Sequence, residues 1–483
     1  MLVALALAGI ALRAWILGSD LGAFDADEAV PGVMARHVLD GELNAFYWGQ
    51  SYGGTHEQFL TAGVFALTGA SVAALRSVPL VLFAVGALLT WRIGVRTVGE
   101  PYARLGAGAF WVWSAYVVWK STRAHGFYGA GLVLGLAVVL LTLRLDERPT
   151  RRELLLLGLA LGLGWWATPQ VFVVALPAVG WLLWRRRELL RSAWMVIAAA
   201  VVGALPWLVA NVRNNWHSLD TPPRGGSLAD SVHNLLASTL PTALGARLPF
   251  TLEWVGGALV GGCLYAVFLV AIAWTLVRLR TRLGPIVPVL VTFPVFYALS
   301  PYSWLNVEPR YLVLVGPLLA LVVVAAGGTA GRAAAIACAL AALSAVGVGL
   351  LDRREVASAY SDGIAVPASI DPLLRTLEAK RVRHVFADYW IAWRIVFQTG
   401  EQIIAVKSQG PLPRAGVRRE PRDPGERGRY PPFYRSVSAD PDAAYVFLTG
   451  TERERRLRPQ LLAAGYRRLR TGDFVVYVRP RAA

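Results

Sequence analysis

Long apolar runs recur over roughly the first 350 residues, separated by short polar or basic connectors. They fall at 1–18, 75–98, 104–120, 125–144, 153–168, 169–184, 192–211, 253–278, 284–300, 310–327 and 331–351. That makes about eleven candidate spans for a hydrocarbon core roughly 30 Å thick. In lipid the backbone must hydrogen-bond within each segment, so these runs predict helices. Thr168-Pro169 predicts a tight turn between two of them, because proline disfavours helix before it and opens the next. Met1 to Leu17 lacks a basic leader and a small-residue cleavage site, and is read as a retained first helix.

Residues 19–74 are too long for a simple connector. Asp27–Leu39 has helical spacing of apolar residues, and Thr55–Leu67 follows a Thr55 cap with Gln58 three positions on. Two interfacial helices are expected there, with their apolar sides in the headgroups. After residue 352 the spanning runs end, while arginine, proline and acidic residues rise. Leu373–Lys380, Trp390–Phe397 and Arg453–Ala464 predict helices. His384–Ala387, Ile403–Val406, Ala444–Leu448 and Phe474–Val478 predict strands, and Gly410–Tyr434 a loop. The expected architecture is an all-α membrane module over 1–351, with about eleven transmembrane helices and two interfacial helices in its first outer loop. An extracytoplasmic α/β domain over 352–483 would follow.

Composition fits a lipid-embedded chain: 55% of residues are hydrophobic and 16% charged, against about 25% charged in a soluble domain. Disorder is excluded, and an ordinary soluble enzyme is argued against. The net charge of +17 would by itself point to nucleic acid. The arginines instead gather in alternate short loops, at Arg144, Arg148, Arg151 and Arg152, at Arg185, Arg186 and Arg187, and at Arg278, Arg280 and Arg282. This is the positive-inside pattern, so the expected partner is a bilayer and not nucleic acid. It puts residue 1 in the cytoplasm and places 19–74, 212–252, 301–309 and the tail outside. Cys263 and Cys338 lie within apolar runs and form neither a metal motif nor a disulfide framework.

Four polar clusters fall on the outer face. Asp25, Asp27 and Glu28 follow the first span; they either cap a helix or supply a base for an acceptor hydroxyl. His56 and Glu57 open the second outer helix, as solvated polar residues, donor-sugar contacts, or metal ligands with distant His217. Lys120 and Arg123 sit in an outward turn where positive-inside does not explain them, and a membrane-anchored phosphate would. Glu308, Arg310 and Tyr311 precede a late span; Arg310 either pairs with Glu308 or reaches a phosphate. Carboxylates, cations and aromatics on one face suit a lipid-phosphate-linked substrate reacting at the outer surface.

The runs D-E-A-V-P-G-V-M-A-R-H-V-L-D-G-E at Asp27–Glu42, G-Q-S-Y-G-G-T-H-E at Gly49–Glu57, L-P-W-L-V-A-N at Leu205–Asn211 and E-P-R-Y at Glu308–Tyr311 resemble the bacterial C-type membrane glycosyltransferases. So does A-D-Y-W-I-A-W-R-I-V-F-Q-T-G-E-Q-I-I-A at Ala387–Ala405, which is similar to the outer domain of many members. These are the relatives of protein O-mannosyltransferases and of the lipid A aminoarabinose transferase. The resemblance implies a polyprenyl-phosphate sugar donor, an inverting displacement at an extracytoplasmic site, and a bacterial cytoplasmic membrane. It makes Asp27 the base and Glu28 its partner. Arg123 would hold the lipid phosphate, with Lys120, Arg310, Glu57 and Tyr311 as further donor contacts. Some relatives bind a divalent metal; the candidate ligands His56, Glu57 and His217 do not reproduce that site. No cofactor is otherwise implied. The acceptor would be a protein, lipid or glycan. A lipid-linked sugar flippase or transporter and a glycan polymerase or ligase are the alternatives. The near absence of charge inside the spans argues against transport.

Overall fold

The computed structural model describes residues 1–220, 225–303, 306–356, 359–407 and 429–480. Its helices in chain order begin with α1 (Leu2–Leu17), α2 (Ala26–Leu39), α3 (His56–Thr68), α4 (Val72–Thr97), α5 (Tyr102–Val112), α6 (Ala115–Lys120) and α7 (Tyr128–Glu147). Then come α8 (Arg151–Ala167), α9 (Val171–Arg185), α10 (Ala193–Gly203), α11 (Leu205–Arg213), α12 (Leu228–Asn234) and α13 (Leu240–Ala243). The apolar series closes with α14 (Gly257–Arg278), α15 (Ile286–Leu299), α16 (Gly316–Ala325) and α17 (Ala330–Arg353).

Four of these, α4, α7, α14 and α17, are long and apolar enough to cross a membrane unbroken. Two bent pairs bring the number to six: α1 turns by 86° into the segment ending at Leu39, and α10 turns by 60° into α11. The other apolar helices are shorter, such as the 15-residue α9, 14-residue α15 and 10-residue α16. The structure is a helical bundle in which several of the apolar runs break into short helices. The expected span 104–120, for example, divides into α5 and α6 where Trp113 and Ser114 leave the helical conformation. The spans also carry more internal charge than their hydropathy suggests. Arg13 of α1 is buried, but donates to the carbonyls of Gly9 and Trp111 (2.8 and 2.9 Å) and to Ser121 (2.9 Å). It thus ties α1 to the turn after α6.

After α17 the chain forms a hairpin of β1 (Tyr360–Ser361) and β2 (Ile364–Ala365), then α18 (Asp371–Ala379), β3 (His384–Ala387), α19 (Tyr389–Gln398) and β4 (Ile404–Lys407). The last elements are α20 (Pro431–Ala439), β5 (Ala444–Leu448), α21 (Glu452–Ala463), β6 (Arg467–Thr471) and β7 (Phe474–Val478). They make a five-stranded sheet of order β4-β3-β5-β7-β6. Its β4-β3-β5 side is parallel and its β5-β7-β6 side antiparallel. Residues 410–428 of the expected loop lie outside the described residues, and its end opens α20 with a proline pair, which suits a first helical turn.

The first outer loop differs from expectation in what covers it. The apolar side of α2 is buried, yet against α19 of the tail and not in headgroups. Phe24, Val30 and Val33 share one hydrophobic core with Leu373, Ile391, Phe397 and Val475. Phe24 and Phe397 meet at 5.2 Å between ring centroids, and Arg36 donates to the Phe397 carbonyl at 2.9 Å. The tail is therefore seated directly on the loop that carries the acidic cluster.

Candidate active site

The three first-loop carboxylates have different surroundings. Asp25 is the N-cap of α2 and accepts from the Glu28 backbone N–H at 3.0 Å. Its other oxygen is 3.3 Å from His125 Nε2 and 3.9 Å from Arg123. Burial opposes its charge, but His125, Arg123 and the backbone N–H hold its carboxyl well below the usual range. Glu28 is fully buried and clamped by Arg76 (2.8 and 2.5 Å), by Arg123 (2.7 Å) and by the Ala124 N–H (3.2 Å). Again burial opposes the charge, and the two guanidinium groups overcome it. Asp27 cannot share that pocket, because adjacent helical residues point about 100° apart. Its side chain remains 25% exposed, with one oxygen, Oδ2, that has no hydrogen-bond partner among the described residues.

Two basic residues, one ending α6 and one in the turn after it, also diverge. Arg123 is buried, and its terminal nitrogens donate to Glu28 and to the carbonyls of Leu21 and Ala23. Its Nε–H is buried without a hydrogen-bond partner among the described residues. Through its terminal nitrogens Arg123 fastens the α1–α2 connection. Lys120 is 1% exposed and meets no carboxylate within ion-pair distance among the described residues. Its ammonium lies 2.7 Å from His125 Nδ1, whose other nitrogen faces Asp25, and 4.3 Å from the Tyr128 ring centroid. It lies close enough to Arg310, Glu308, Asp27 and Asp25 to interact electrostatically with each of them. Arg310 makes a two-pronged pair with Glu308 (2.9 and 3.0 Å), and Tyr116 donates to the same Glu308 at 3.3 Å. Tyr311 packs against Tyr297 at 6.4 Å.

Glu57 turns inward from α3 and accepts from the Ala130 N–H at 3.0 Å. Burial pushes its carboxyl up to about 7, against the backbone of Ala130 and Gly129 and the charge of Lys120. His56 lies tilted against Trp166 (4.0 Å between ring centroids) with neither ring nitrogen bonded, and burial pushes it down to about 4, so the ring is neutral. His217 is exposed and pairs with Asp220 at 2.9 Å. His56, Glu57 and His217 are therefore not brought together. Among the described residues no group of three or more His, Cys, Asp or Glu is arranged to hold a metal ion, and no step is derived through one.

Two site residues come from the tail. Tyr389 donates its phenol to Asp27 Oδ1 at 2.7 Å, and Arg429 lies 3.7 Å from the same oxygen. Tyr389 belongs to the A-D-Y-W motif, where its aromatic neighbours masked it. Arg429 falls in a stretch read only as loop, and no local pattern marks it.

No protein-family model matches the chain, and no curated protein matches it. Solved structures do. ArnT from Cupriavidus metallidurans bound to undecaprenyl phosphate superposes with a TM-score of 0.65 at 13% identity, covering 99% of this chain and 98% of that one. The same protein in the apo state gives 0.63 at 14%, covering 99% and 96%. The archaeal oligosaccharyltransferase AglB from Archaeoglobus fulgidus, in complex with an inhibitory peptide and a dolichol-phosphate, gives 0.52 at 11%, covering 99% and 74%. Both comparisons cover 99% of this chain, so that end to end it has the fold seen in ArnT and AglB.

Proposed function

We propose that the protein is a membrane glycosyltransferase that moves a sugar from a polyprenyl-phosphate donor to an acceptor hydroxyl on the extracytoplasmic face. The observation that carries this reading is one open carboxylate, Asp27, within electrostatic reach of one buried cation that lacks an ion-paired carboxylate, Lys120. A buried ammonium with no carboxylate at ion-pair distance is costly, and an arriving phosphate relieves that cost. The solved structures of the same fold hold undecaprenyl phosphate in ArnT and dolichol-phosphate in AglB, which are ligands of the proposed class.

In the reaction, Asp27 Oδ2 takes the proton of the acceptor hydroxyl. The acceptor oxygen forms a bond to the anomeric carbon as the bond from that carbon to the phosphate oxygen breaks. The electron pair leaves with polyprenyl phosphate, and the anomeric configuration inverts. Lys120, oriented by His125, stabilises the charge developing on the leaving phosphate, with Arg310 as the second cation. Tyr311 and Glu57 line the donor side. Glu28, beside Asp27 on α2, locks that helix to α4 and to the turn after α6. The division at residue 351 assigns the donor site to the membrane module. The arginine-rich alternate loops support a site and tail on the outer face of a bacterial cytoplasmic membrane.

The test is transfer of label from a radiolabelled undecaprenyl-phosphate sugar to a membrane extract by the purified protein. Asp27→Asn is expected to lower transfer by at least roughly 100-fold while the protein folds normally. Wild-type rates in that variant remove the proposed base, and label that only changes leaflet assigns the protein to flipping.

A further inference from the structure

Asp27 stands on the first outer loop, yet both groups that touch its carboxylate belong to the tail. Tyr389 is the first residue of α19, directly after the C-terminal end of β3, and Asp388 caps that helix by accepting from the Trp390 N–H at 2.9 Å. The phenol is therefore delivered by a capped helix on a sheet, a rigid support. Arg429 reaches the same oxygen from the other side. Its guanidinium lies 5.1 and 5.2 Å from the ring centroids of Tyr47 and Tyr389, and it donates to the Trp48 carbonyl at 3.3 Å. Tyr47 in turn donates to the backbone carbonyl of Asp27 at 3.1 Å. Gly49 lets the Arg429 backbone come this close. At φ +71°, a Cβ there would stand 2.8 Å from Arg429 Cα.

With Oδ1 held, only Oδ2 is open to a substrate proton. We infer that the tail is a working part of the active site: Tyr389 and Arg429 are positioning residues that fix the Asp27 carboxylate with Oδ2 turned toward the acceptor. The inference rests on the proposed role of Asp27 as base. Burial and the Asp27 charge, against Arg429, push the Tyr389 phenol well above its ordinary range, so it stays a donor throughout the working pH. A base fixed in this way keeps one approach to the hydroxyl, and small misplacements of such a group are expensive in rate.

The experiment uses the full-length protein with radiolabelled undecaprenyl-phosphate hexose and pentose as donors and a membrane extract as acceptor source. Tyr389→Phe is expected to lower kcat roughly 10- to 100-fold with donor KM within about twofold of wild type. Removing a donor from a carboxylate makes it easier to protonate, so the acid limb of the rate profile is expected to move to higher pH. Arg429→Gln should move the limb the same way, and Arg429→Lys should move it back; this second pair decides the matter if Tyr389→Phe folds poorly. Tyr430→Phe, which loses a 2.8 Å bond to Glu42 at the same junction without touching Asp27, should leave the limb in place. A wild-type kcat and limb in Tyr389→Phe, beside an inactive Asp27→Asn, overturns this inference alone. Equal losses in Tyr389→Phe and Tyr430→Phe with no limb shift also overturn it, reducing the tail to a docking role. Full transfer by Asp27→Asn, or no transfer by wild type from either donor, overturns the underlying reading.

Discussion

The carboxylate of Glu28 lies between Arg76 and Arg123 with no exposure, so each guanidinium there neutralises a charge that water cannot reach. Removing one member strands the others, a change that costs about 3–5 kcal/mol in buried pairs. Arg123→Ala is therefore expected to act on stability, lowering the unfolding temperature in detergent, and any loss of transfer should track the folded fraction. Lys120→Gln is expected to do the reverse: near-normal unfolding and a large loss of transfer per folded molecule. Normal stability with weakened donor binding in Arg123→Ala would return the phosphate to that residue. The sequence showed both residues as one cationic turn and could not divide them. The partners that separate Asp27 from Glu28 lie 48, 95 and 362 positions away, at Arg76, Arg123 and Tyr389. Spacing within a motif says which charges are neighbours, whereas only the fold says which are satisfied.

Elements with a strong period were legible, including the start of α2, the core strands β3, β5 and β7, and the helices α18 and α21. Their signal is the alternation or stripe of residues that one core buries. β6 reads Arg-Arg-Leu-Arg-Thr and carries no such signal, because an edge strand needs only one hydrogen-bonded side and tolerates charge on the rest. α2 shows the complementary difficulty. Its apolar stripe was visible, but a stripe does not name its cover, and the cover proved to be α19. The contact is close at Gly32, where a Cβ would fall 2.5 Å from Phe397 and 3.2 Å from Leu75. Overpacking of this kind costs about 1–3 kcal/mol. Gly32→Ala is accordingly expected to lower the unfolding temperature and to raise amide exchange in α19 more than in α7. Unchanged exchange in α19 would mean that α2 and α19 are not held together in solution.

At the scale of the whole molecule, the bundle and the tail meet through the first outer loop, and that junction contains a titrating latch. His37 of α2 contacts Glu42 through Nδ1 at 2.7 Å and Glu401 of the tail through Nε2 at 2.9 Å. Tyr430 donates to Glu42 at 2.8 Å and stacks on Trp48 at 4.1 Å, and both rings stand edge-on to His37. Burial works against the imidazolium, but the hydrogen bonds and charges of Glu401 and Glu42 prevail and raise His37 to about 9 from an ordinary 6.5. A group raised on folding stabilises fully below its unfolded value and loses that contribution as pH climbs through its folded one. The latch should therefore be complete below about pH 6.5 and released progressively up to and beyond about pH 9. The Tyr430 phenol, pushed up to about 12 by burial and Glu42, keeps its proton through that window. The expected outcome is a fall in unfolding temperature between these limits that His37→Gln abolishes. Amide exchange should rise first where α2 faces the tail. An identical slope in His37→Gln would move the titration elsewhere, and a flat profile in the wild type would show that hydrophobic contact around Phe24 and Phe397 seats the tail without help from charge.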